Sequence, residues 1–91
     1  MYIISLKKDS KTGEVSQVKE LCDLERPDIV YQAPIKQVIK HLTEGKIKYA
    51  TAIQVDGKYV KGDDLIVVNG YLKTKGNDTV LDNLENLPTF D

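Results

Sequence analysis

Much of the chain reads as β-branched or alternating apolar runs, and the clearest exception repeats its apolar residues every third and fourth position. "YIISLKK" (2–8) is β-branched and apolar, which predicts a strand. "DSKTGE" follows, and its Gly13 supplies the positive φ of a hairpin turn. "VSQVKELCDL" (15–24) fits two periods. Val15, Val18, Leu21 and Cys22 fall at helical spacing, yet the run opens on Val and Ser directly after a turn. A strand with a bulge is the favoured reading, and a helix stays open. "ERPDIVYQAP" reads as a connection, because Pro27 and Pro34 interrupt regular structure. "PIKQVIKHLTEG" (34–45) is the clearest helix. Ile35, Val38, Ile39 and Leu42 form one stripe, Lys36, Lys40 and Glu44 face away from it, Pro34 suits the first turn and Gly45 the end.

The second half returns to alternation. In "IKYATAIQV" (47–55), Ile47, Tyr49, Thr51, Ile53 and Val55 share one face and Lys48, Ala50, Ala52 and Gln54 the other. Asp56-Gly57 and Asn69-Gly70 are two-residue hairpin signals. They place strands at 58–60, 65–68 and 71–74, with "KGDD" (61–64) as a loop. The predicted order is β-β-α-β-β-β-β: a single α+β domain over 1–91, with one helix on one face of a mostly antiparallel sheet of hairpins. The chain then runs to "DNLENLPTF". Val80, Leu81, Leu84 and Leu87 fall at helical spacing, Asp78 or Thr79 offers a cap, and Pro88 ends the run. Its Asn and Asp residues make a poor isolated helix, so the segment 76–91 is expected to pack as a lid on the sheet or an open edge. The other reading is a linear motif for a partner.

Composition narrows the functional classes. The net charge is −1, from 13 basic and 14 acidic residues, which argues against a strongly electrostatic nucleic-acid binder. Asp78, Asp82, Glu85 and Asp91 give residues 76–91 a charge of −4 with no base, leaving +3 on the rest. Cys22 is the single cysteine, so an internal disulfide is excluded and a reducing, cytoplasmic compartment is expected. The opening apolar run is too short for a signal peptide, and no stretch nears the ~20 residues of a membrane span.

Catalytic chemistry finds little support. His41 is the only histidine and lies beside the helix stripe, where a partly buried or surface role is the plain reading. Cys22, next to Leu21, reads as a small core residue. No motif joins the two as a dyad. Asp56, Asp63 and Asp64 lack calcium-loop spacing, and no glycine loop matches a phosphate cradle. No catalytic residue, metal site or cofactor is therefore assigned. An enzyme working through His41 or Cys22 is the remote alternative.

Binding is the class that remains. The leading expectation is a protein partner, held by a sheet face, a sheet edge or the tail. The alternative is a weak nucleic-acid module, in which lysines attract phosphate and tyrosines stack on bases. Its contacts would be Lys48, Tyr49, Lys58, Tyr59, Lys61, Tyr71, Lys73 and Lys75, although Tyr49 shares a face with Ile47, Ile53 and Val55 and so reads as core. "YLKTKGNDTVLDNLENLPTF", with "YIISLKK", "VSQVK" and "VIKHLTEGK", resembles the bacterial family called domain of unknown function 3892 over nearly the whole chain. Tyr71, Leu72 and Thr74, with Asp82, Asn83, Leu84, Leu87 and Pro88, carry that resemblance. It implies a bacterial cytoplasmic α+β domain whose tail belongs to the fold, and it implies no activity.

Overall fold

The computed structural model describes residues 1–75 and 87–90. The elements run β1 (Tyr2–Lys8), β2 (Val15–Leu21), β3 (Val30–Pro34), α1 (Ile35–Glu44), β4 (Ala50–Val55), β5 (Lys58–Val68) and β6 (Tyr71–Thr74). Six strands form one sheet in the order β3-β2-β1-β4-β5-β6. Every neighbouring pair is antiparallel except β1 and β4. The α+β class, with one helix on a mostly antiparallel sheet, is as the sequence predicts.

Local chemistry sets each boundary. The β1–β2 turn is organised by Asp9, whose carboxylate accepts from the Lys11 and Thr12 amides while Gly13 takes φ 73°. Residues 15–21 are a strand, and Ser16 is the extra residue of a bulge, its hydroxyl donating to the Lys7 carbonyl at 3.1 Å. A second irregularity between Ile3 and Ser5 turns Ile4 to the other face. Ile3 and Leu6 therefore both join the helix-side core, while Ile4 packs with Leu21 and Ala52 on the opposite side. Pro34 is extended at the helix start. Gly45, at φ 69°, closes the helix: its amide donates to the Leu42 carbonyl and that of Lys46 to the His41 carbonyl.

The helix buries Val38, flanked by Ile35 and Leu42, against Ile3, Leu6, Val18, Tyr49, Leu65, Leu72 and Leu87. Along β1 the far side is shared. β4 pairs only with Tyr2 and Ile3, and beyond them the tail takes over. The Leu6 amide donates to the Pro88 carbonyl and the Phe90 amide to the Leu6 carbonyl, both at 2.9 Å. Leu6 and Thr89 thus form a parallel bridge, and Leu87 beneath it is 3% exposed. At 87–90 the tail is part of the fold. The cap and apolar stripe expected at 78–84 lie outside the described residues.

Some local expectations change. Val30–Pro34 is a strand, not a connection, because an outer strand tolerates the amide that proline lacks. Residues 61–64 are not a loop but the middle of β5, which pairs with β4 in its first half and with β6 in its second. Gly62 permits this. A Cβ there would collide with Thr51 Oγ1, which accepts from the Asp63 amide at 3.0 Å. Cys22 is exposed rather than core, since β2 ends at Leu21. Ile53 and Val55 share a face with buried Thr51 but are about half exposed, as the β4–β5 hairpin runs past the helix.

Candidate functional site

The expected lysine and tyrosine positions divide. Tyr49 is 3% exposed in the core, so it offers no ring face to a base. Tyr59 is half buried against Ile4, Leu21 and Ala52 on the opposite side of the sheet. Tyr71 is 65% exposed, on β6. Lys48, Lys61 and Lys75 converge on Asp64. Lys61 Nζ lies 3.0 Å from its carboxylate, and all three lysines hold the Asp64 carboxyl below its usual range. Lys58 sits at the β4–β5 turn and Lys73 opposite Ile66, apart from that group. Among the motif residues on β6, Leu72 and Thr74 point inward and Tyr71 outward. Leu87 is core, and Pro88 holds β1. Asp82, Asn83 and Leu84 lie outside the described residues.

A polar cluster beneath the helix does not follow from the sequence pattern. His41 Nδ1 and the Tyr49 hydroxyl are 3.1 Å apart. Burial first, and then the charge of Glu20, push the Tyr49 phenol up to about 12. Glu20 stands opposite Ile3 on one side and Tyr31 on the other, and its residue is 5% exposed. Its Oε2 is enclosed and has no hydrogen-bond partner among the described residues. Burial raises its carboxyl above the ordinary glutamate range, opposed by the Met1 ammonium and then by His41. The Met1 ammonium is itself engaged, donating to the Lys48 carbonyl at 2.9 Å.

Glu20 lines a crevice of about 280 Å³ between the helix and the edge of the sheet, with Met1, Cys22, Tyr31, Ala33 and Gln37 among its walls. The crevice opens at β3. No strand among the described residues pairs on the outer side of β3. Ile29, Val30 and Tyr31 are exposed there, Tyr31 at 51%, and residues 29–34 carry no charge. A strand edge of this kind presents its unpaired backbone groups to another extended chain.

Among the described residues, no three His, Cys, Asp or Glu side chains gather as a metal site, and no helix is long and apolar enough to cross a membrane. No curated protein and no solved structure matches the chain. The sequence pattern of one family matches residues 2–88, in line with the resemblance carried by the β6 and Leu87-Pro88 motifs. With that match covering nearly its whole length, the chain belongs to the family described as protein of unknown function DUF3892.

Proposed function

We propose that this chain is a small non-catalytic interaction module that takes up an extended segment of a protein partner on the outer edge of β3. The observation that carries the proposal is that edge: uncharged over 29–34, with three large apolar side chains exposed. Sheet edges that must stay single are ordinarily blunted by charges, prolines or bulges; Pro34 ends this strand, and residues 30–33 carry none of the three. The module would work in a bacterial cytoplasm, a setting supported by an exposed, unpaired Cys22, which suits a reducing compartment. Peptides selected on the immobilised chain from a random library should shift the backbone amides of residues 30–33 in amide-resolved NMR. Selected peptides that shift other elements, or a library that yields none, would overturn the proposal.

A second reading rests on the three lysines around Asp64, which form a small basic surface beside Leu42 and Ile66. Short single-stranded oligonucleotides would meet phosphate contacts there, and their binding would weaken steeply with salt. With Tyr49 buried, stacking would fall to other rings. Titration at low and moderate salt separates the readings. Salt-sensitive shifts at Lys48, Lys61 and Lys75 favour nucleic acid, and a flat response removes it.

A further inference from the structure

The edge of β3 and the crevice of Glu20 are adjacent parts of one surface. Tyr31 and Ala33 belong to β3, and both also line the crevice. Glu20 pairs directly with Tyr31, and Val18 with Ala33, so all four side chains stand on the helix side of the sheet. A strand added outside β3 would lie two strand spacings from β2, roughly 9.5 Å. That distance is spanned when a long side chain of the added strand and the Glu20 side chain reach toward each other. Ala33 is small and leaves the path over β3 open.

The floor of the crevice has a definite chemical demand. A buried carboxylate oxygen without a hydrogen bond is costly, and a donor bearing positive charge relieves that cost best. Neither group that acts on Glu20 supplies a bond: the Met1 ammonium donates to the Lys48 carbonyl, and His41 Nδ1 faces the Tyr49 hydroxyl. The walls suit an aliphatic stem with a polar tip, combining the Tyr31 ring, the Met1 side chain and the Gln37 amide.

We infer that the crevice is the specificity pocket of the β3 edge, and that it takes a lysine or arginine side chain of the bound segment, whose charged tip donates to the Glu20 carboxylate as the Glu20 side chain turns out to meet it. The inference rests on the edge-binding reading above and deepens it. Backbone hydrogen bonds along β3 supply affinity for any extended segment, and the pocket selects segments with a cation at one position. A charge-assisted hydrogen bond at the Glu20 carboxylate corresponds to about a tenfold preference or more over an uncharged chain of equal length.

The test uses two capped pentapeptides, acetyl-Thr-Val-Lys-Val-Thr-amide and its norleucine counterpart, titrated into the full chain and followed by backbone amide shifts. Both should move the amides of residues 30–33, and only the lysine peptide should also move Glu20 and Gln37. The lysine peptide should bind about tenfold tighter. In the Glu20→Gln variant that preference should collapse to near unity while the shifts along β3 persist. Equal binding of the two peptides to the unmodified chain, with β3 still shifting, would overturn the pocket and leave the edge reading intact. No β3 shift with either peptide would overturn both. The comparison on the unmodified chain decides the matter even where the variant fails to fold.

Discussion

Replacing Leu87 by alanine measures how far the tail is built into the fold. Leu87 is 3% exposed and packs in the same cluster as Leu6, Val38 and Leu72. The substitution removes three carbons, and at about 0.8 kcal/mol per buried CH₂ the transfer contribution alone is about 2.4 kcal/mol. The cavity left between the helix and β1 adds to this, so the expected loss is about 2.5–4 kcal/mol, inside the range of core leucine truncations. A domain of this size has about 5–15 kcal/mol in all, and each kcal/mol moves its melting midpoint by about 4–8 °C. The far-UV circular dichroism midpoint should therefore fall by at least about 10 °C. Leu87→Met, which conserves volume, should cost less than about 1.5 kcal/mol. The reasoning is refuted if Leu87→Ala changes stability by less than about 0.5 kcal/mol, the behaviour of a surface position.

Four other outcomes are expected. Truncation after Lys75 removes Leu87 and both hydrogen bonds to Leu6, so the shortened chain should lose its cooperative melting transition. Gly62→Ala should destabilise by about 1–3 kcal/mol through its collision with Thr51 Oγ1, and adding Thr51→Ala should recover part of that loss in a double-mutant cycle. Glu20 has a raised pKa in the fold, so its protonated form stabilises at low pH and that contribution is lost as pH rises through the raised value. Chemical denaturation across pH should accordingly show Glu20→Gln gaining on the parent above about pH 4.3, while the Met1 ammonium, His41 and Tyr49 stay in place. Because the Tyr49 phenol is pushed up to about 12, alkaline ultraviolet titration should show one tyrosine ionising near that pH, a step that Tyr49→Phe abolishes.

What was legible in the sequence was local. The helix was announced by its apolar stripe and by Pro34 and Gly45 at its ends, and its boundaries fall within a residue of those signals. The Asp56-Gly57 and Asn69-Gly70 turns do what their residue types demand, each taking positive φ. β3 was illegible because its apolar stretch is short and framed by prolines, and its strand character comes from pairing with β2. Gly62-Asp63-Asp64 has the composition of a turn, and the close approach of Thr51 makes it a strand. Glu20 looked like an ordinary polar position between Lys19 and Leu21. Its burial depends on Ile3 and on the helix passing over it, and neither is adjacent in sequence. The approach of His41 to Tyr49 was hidden for the same reason, since it needs the helix and the start of β4 to be placed in three dimensions.

The pairing of Leu6 with Thr89 also constrains the order of assembly. β1 is synthesised ahead of the other elements described, and one of its neighbours, Thr89, follows the last of them. The β1–β2 hairpin and the helix close short loops and can form early, whereas joining residue 6 to residue 89 closes a far longer loop at a larger entropic cost. During synthesis, one flank of β1 therefore waits open until residues 87–90 arrive to fill it.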